Sequence, residues 1–278
     1  MIGVIFAFFG SLFDEISGSI GKKEVSKSEE DVFMMGFFNI LWPVVFFGII
    51  VFFIRGQFLF NWDSWPTFFS RAFLEIIQAH CVLIALTKTD RTTFSFIRLL
   101  TLPVLLLMDL LLGYQLLWSQ FFGMTLIIIS IGILFFRRET GKKGIGWVVF
   151  TSFNAVATIS LYKYDITHFN SVETEQFLIC GILLIYFASL IILLDKKNPF
   201  KLLRRPVFLA QSLINGVGGV IGSFAFNFAP ASIIATAKRS GAIIWATISG
   251  SLYFHERHLV FKVGILTLLI SGLVLLIV

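Results

Sequence analysis

"GMTLIIISIGILFF" (residues 123–136) and "GILTLLISGLVLLIV" (residues 264–278) read as two versions of one segment, 141 positions apart. Each opens on a glycine, carries a serine seven residues later (Ser130, Ser271) and is otherwise almost wholly apolar. The same shift superposes Arg98 on Arg239, Lys22 on Lys163 and Gln115 on Glu256. Identity between the halves is sparse. The repeat rests on segment lengths and polar positions agreeing over five consecutive apolar stretches. Five is an odd number, so a second copy of a membrane-crossing unit enters from the opposite side. That arrangement is an inverted-topology repeat, a common build for secondary transporters.

Composition points the same way. Of 278 residues, 57% are hydrophobic, 14% are charged and 34 are phenylalanine, with a mean hydropathy of +0.92. A soluble domain has about 45–50% apolar and about 25% charged residues, so this chain requires lipid as its solvent. A crossing helix takes roughly 20 apolar residues. Ten segments qualify: 2–21, 32–54, 66–87, 92–113, 117–136, 144–163, 174–194, 206–229, 231–253 and 259–277. The expected fold is an all-α integral membrane protein of ten transmembrane helices, with inverted five-helix halves at 1–138 and 141–278. Pro103 is expected to kink the fourth helix. The N-terminus lacks the positive region of a signal peptide, and Asp14 and Glu15 interrupt its apolar run, so it reads as the first helix.

Several function classes drop out. The sequence pI of about 9.4 comes mainly from basic residues in short loops, the pattern of membrane orientation rather than nucleic-acid binding. Cys81 and Cys180 are too few for a disulfide framework and lack metal-ligand spacing. "FHERH" (254–258) has the wrong order for a zinc motif, and no P-loop occurs. No cofactor or metal is expected. Alternate loops divide the positive charge unequally: 16 lysines and arginines fall on one side, and Arg55, Arg71 and Lys163 on the other. The positive-inside rule places the rich side in the cytoplasm and both termini outside.

Three cations remain inside apolar segments: Arg98, Lys238 and Arg239. A Lys or Arg at the centre of an isolated membrane helix costs about 2.5–3.5 kcal/mol, so such residues mark ligand sites or buried ion pairs. Neighbours on a helix project about 100° apart, so Lys238 and Arg239 serve different directions. Arg239 lies on a small-residue face with Ala235, Ala242, Ala246 and Gly250. Lys238 shares a side with Trp245, whose ring offers a stacking surface. Arg98 and Arg239, as repeat mates, suit a carboxylate or phosphate held from both halves.

Asp14 sits on a stripe with Gly3, Ala7, Gly10, Ser17 and Gly21 and is the candidate for coupling or charge balance. Helix eight carries Asn215, Gly218, Gly219 and Gly222. Asn215 is a candidate hydrogen-bonding residue for substrate, and the Gly218–Gly222 spacing signals close helix packing. Asn154 in helix six is a similar polar position. Arg71 and Glu75 form an i, i+4 pair expected to be structural. Glu256, at the junction of helices nine and ten, reads as a structural cap or anchor.

The stretch "ATAKRSGAIIWATISGSLYFHERHLVFKVGILTLLISGLVLLIV" (235–278) resembles EamA-type members of the drug/metabolite transporter superfamily. The likeness lies in the Lys-Arg pair of the ninth helix, a following apolar run, a glutamate near its end (Glu256) and an early glycine in the next helix (Gly264). "FSFIRLLTLPVLLLMDLLLGYQLLWSQFFG" (94–123) is the weaker first-half copy, with Gln115 where glutamate is usual. The resemblance implies ten helices, alternating access and a central cavity between the halves. A similar Lys-Arg pair binds substrate phosphate in the related triose-phosphate translocators. Family members usually have cytoplasmic termini, the reverse of the charge count.

The expected function is therefore a multi-pass secondary transporter of the cell membrane, moving a small anionic or carboxylate-bearing metabolite. Its expected partners are that substrate and the bilayer, with no nucleic acid, as a monomer or homodimer. The alternative is an integral membrane enzyme or a flippase for lipid-linked substrates. The dispersed histidines (80, 168, 255 and 258) and the lack of a nucleophile–base signature weigh against an enzyme.

Overall fold

The computed structural model describes residues 1–25, 32–89, 94, 97–136, 144–195, 206–254 and 259–277. The described residues form ten α-helices: α1 (Ile2–Val25), α2 (Val32–Ile49), α3 (Trp65–Lys88), α4 (Thr101–Leu111), α5 (Trp118–Phe136), α6 (Ile145–His168), α7 (Val172–Leu190), α8 (Pro206–Ala225), α9 (Ala231–Phe254) and α10 (Leu259–Ile277). Five helical stretches are long and apolar enough to cross a membrane: Phe33–Arg55, Trp62–Ala85, Ile145–His168, Val172–Leu193 and Pro206–Ala225. Large apolar side chains face outward along the bundle, among them Phe53, Trp62, Trp118, Phe122, Ile185 and Leu193. Lipid solvates such a surface at no cost.

Helix ends match at the spacing of the sequence echo. Moved by 141 positions, α5 coincides with α10 at both ends, and Trp65 at the start of α3 falls on Pro206 at the start of α8. The α2 helix ends at Ile49 and passes into a π-helical turn, Ile50–Arg55. The α7 helix ends at Leu190 and does the same over Ile191–Asp195. Such i→i+5 turns are rare, so their occurrence at equivalent positions is informative. Packing follows the same rule. The α1 helix packs on α8 and α9, and α6 packs on α3 and α4; α2 lies against α7, α4 against α9, and α5 against α10. Each of these contacts maps onto another, or onto itself, when every helix is exchanged for the one five places along.

The largest apolar core joins α1, α5, α9 and α10 through Val4, Ala7, Met124, Ile127, Ile233, Ile234, Ala237, Leu269 and Leu273. The α5–α10 crossing is close because of glycine. A Cβ on Gly123 would lie 2.8 Å from the Gly272 carbonyl oxygen. Connections at one end of the bundle are stitched together. Ser171 N donates to Leu59 O, and Asn61 N donates to Asn170 Oδ1 at 2.8 Å. Tyr114 and Thr167 hydroxyls meet at 3.3 Å.

Two expectations need correction. The fourth helix is not a continuous rod kinked at Pro103. A 3₁₀ turn, Arg98–Leu100, precedes α4, and Pro103 sits in the first turn of α4, where a missing N–H breaks no bond. Lys163 is not a loop residue. The α6 helix runs on to His168, which leaves Lys163 buried with its Nζ donating to Phe226 O at 2.5 Å. Arg71 is buried as well. Of the three basic residues assigned to the poor end, only Arg55 is exposed.

Candidate functional site

The Lys238–Arg239 pair divides as adjacent helical residues must. Lys238 turns toward α1 and α8. Its Nζ lies 2.7 Å from Asp14 Oδ2, with side chains 41% and 31% exposed, so the pair is open to a ligand or to water. The site exists because α1 and α8 approach through glycine. A Cβ on Gly218 would lie 2.8 Å from Asp14 Oδ1 and 3.1 Å from Gly10 O. A Cβ on Gly10 would lie 3.2 Å from Gly222 N. Ser17 extends the seam, its hydroxyl donating to Gln211 O at 3.1 Å. The small polar stripe of α1 thus faces α8, and Asp14 faces protein.

Arg239 turns the other way, toward α4. Ala235, one turn earlier, packs with Leu105 and Val156. The Arg98 guanidinium is close enough to act electrostatically on Arg239. Both arginines are half-buried. Arg98 lies over the Phe94 ring at 5.3 Å, and its Nε is buried with no hydrogen-bond partner. Asp109, eleven positions from Arg98, is engaged elsewhere, its Oδ2 accepting from Ser232 N at 2.7 Å. Among the described residues no carboxylate salt-bridges either arginine. Two like charges that repel inside an apolar bundle form a site that an anion would stabilise.

Other candidates have protein partners. Trp245 Nε1 donates to Phe8 O at 3.1 Å and its ring packs on Phe8, with centroids 4.9 Å apart. Asn215 Nδ2 donates to Asn39 O at 2.8 Å, joining α8 to α2. Asn154 Nδ2 donates to Leu74 O and to Gln78 Oε1, both at 2.9 Å. Glu256 lies outside the described residues, as does the side chain of Ala246.

A second polar centre escaped the sequence reading. Arg71 on α3 is 2% exposed, the largest charged side chain so enclosed. Its Nη1 donates to Glu175 Oε1 at 2.7 Å and its guanidinium lies 4.3 Å from the Tyr162 ring centroid. Glu75, the expected i, i+4 partner, is farther, at 3.9 Å. Asn170 Nδ2 donates to Glu175 Oε2 at 2.7 Å and to Ser64 Oγ at 3.0 Å. Asp165 is fully buried beside them. The signal available in the sequence was "YDITHFNSVETEQ" (164–176), where three acids flank a turn between apolar helices, and Ser171 caps α7 by accepting from Thr174 N.

No protein-family model matches the chain, and no curated protein does. Among solved structures 25 chains match. One, described only as "Crystal structure of protein", covers 99% of this chain and 98% of its own length with a TM-score of 0.73 at 12% identity. At that identity the likeness is one of fold.

Proposed function

We propose that the chain is a secondary transporter of ten membrane-crossing helices, built as two inverted five-helix repeats, that moves a small anionic metabolite by alternating access. The repeat reading is supported by the coincident ends of α5 and α10, the paired π turns and the helix contacts that survive exchange of the halves. The resemblance of residues 235–278 to EamA-type transporters agrees with this reading. The observation that carries the anionic substrate is the Arg98–Arg239 approach. The two residues are equivalent under the 141-residue shift, and the 3₁₀ turn that carries Arg98 leads into α4, which packs on α9, the helix of Arg239. The Arg98 charge acts on Arg239, and neither has an acidic partner among the described residues. Lys238 adds a third cation one residue away, and Asp14 balances it.

An anion bound between the arginines draws α4 and α9 together, and its release lets them part. That is the differential contact between two states that alternating access requires. The experiment is counterflow in proteoliposomes with labelled inorganic phosphate and succinate as probes of tetrahedral and planar anions. Saturable exchange of unaltered substrate supports the reading. Chemical conversion of a probe without movement across the bilayer would assign the chain to the enzyme class instead.

A further inference from the structure

The centre around Arg71 holds more acid than base. Glu175 Oε1 is occupied by Arg71 and Oε2 by Asn170. Glu75 shares the same guanidinium. Asp165 has no such partner: both of its carboxylate oxygens are buried and accept no hydrogen bond. The groups that face it are Glu175 on α7 and Thr67 and Arg71 on α3. Thr67 is spent, its hydroxyl donating to Ser64 O at 2.9 Å. Tyr162 on α6 also borders the centre, but its hydroxyl donates to Ser223 O at 3.1 Å. Cys180 on α7 lies within the field of Arg71 and Glu75. Among the described residues no group of three histidines, cysteines or acids could hold a metal ion.

With all three acids ionised, one guanidinium would face two enclosed carboxylates, Asp165 and Glu175, and the half-buried Glu75. A buried ionised carboxylate without hydrogen bonds is strongly unfavourable, and two carboxylates sharing a site cannot both ionise readily. The ligand that resolves this conflict is a proton. We propose that Asp165 and Glu175 form a proton-binding carboxyl pair, with the proton on Asp165. Resting on the transport reading above, we take this proton to be the coupling ion.

The location supports exchange of the proton with water. Arg71 belongs to the first half of the chain, and Asp165 and Glu175 to the second. The pair lies beneath the stitched connections at the end where Asn170 bonds Ser64 and Asn61. Parting the halves there withdraws Arg71 and admits water, so the affinity for the proton differs between open and closed states. The proton passes from water to an Asp165 carboxylate oxygen and back, with no other bond made or broken.

Infrared spectroscopy of the purified protein tests the site itself. A protonated-carboxyl stretch that shifts in heavy water should be present at neutral pH and absent from Asp165→Asn. Its absence from the wild type, or its persistence unchanged in Asp165→Asn, would overturn the assignment. Should Asp165→Asn fail to fold, Glu175→Gln serves instead. With one negative charge fewer beside Asp165, the band should titrate away at lower pH, and an unmoved titration counts against the pair. Coupling is read separately, as the ratio of phosphate or succinate uptake with and without an imposed proton gradient. One proton per anion allows up to about tenfold accumulation for each unit of pH difference. The ratio should fall to one in Asp165→Asn, and a ratio equal to wild type refutes the coupling role. Wild-type protein that exchanges neither probe refutes the transport reading and leaves the infrared result standing.

Discussion

Replacing Arg71 by Met should destabilise the protein more than replacing Arg71 and Glu175 together. Arg71 is 2% exposed and its Nη1 lies 2.7 Å from Glu175 Oε1. Removing it leaves Glu175 enclosed beside Asn170 without its cation. Breaking a buried pair on one side costs about 3–5 kcal/mol. Loss of the guanidinium from the Tyr162 ring, 4.3 Å away, adds about 0.5–2 kcal/mol. At roughly 2–4 °C per kcal/mol for a chain of about this size, the midpoint should fall by about 7–28 °C. In Arg71→Met/Glu175→Met both charges leave together, and apolar replacement of a whole buried pair is often neutral. Thermal unfolding in detergent, followed by labelling of Cys81 and Cys180, reads both variants, since Cys81 is buried and Cys180 half-buried. A single variant within about 1 °C of wild type, or a double variant worse than the single, would refute the reasoning.

The α1–α8 seam makes a sharper claim about two neighbouring glycines. Gly218→Ala drives a methyl against Asp14 Oδ1, Phe13 Cβ and Gly10 O at 2.8–3.1 Å, whereas Gly222→Ala meets only the flexible end of Lys238, at 3.4 Å. Overpacking costs about 1–3 kcal/mol, so thermal unfolding should be lowered in the first variant and nearly unchanged in the second. Trp245→Phe should lose about 1 kcal/mol through the Phe8 carbonyl bond, while the apparent affinity for a transported anion stays within twofold. A larger change in affinity would return Trp245 to the substrate site. Orientation follows from charge: a thiol at Gln57→Cys should label from outside only and one at Thr140→Cys from the cytoplasm only, and the opposite result would favour the family's usual topology.

Much of the helical framework was legible in the sequence because lipid imposes it. Apolar run length located most of the helices within a few residues, the fourth excepted, and the 141-residue echo between Gly123 and Gly264 anticipated which helix ends coincide. The stripe through Gly3, Gly10 and Asp14 was readable because a small, polar face on an apolar helix has nowhere to go except against protein. The division of Lys238 from Arg239 followed from helix geometry. The Arg71 centre was not legible. Helical periodicity reports which residues share a face, but not which helix that face meets. Glu175 lies 104 positions from Arg71, and Asp165 falls just past the expected sixth segment, 144–163, but within α6. Asn215 and Trp245 show another limit of the sequence, which does not reveal that their side-chain N–H groups meet the Asn39 and Phe8 carbonyls.

The central claim is that Arg98 and Arg239 hold an anion between the two halves. Counterflow of labelled phosphate and succinate into proteoliposomes tests it most directly, with wild type, Arg239→Ala and Arg98→Ala compared at equal amounts of folded protein. Two charge-assisted hydrogen bonds of about 1.5–3 kcal/mol each are at stake. Wild type should exchange at least one probe, and each variant should lose at least tenfold in apparent affinity for it. Exchange by either variant indistinguishable from wild type would contradict the account.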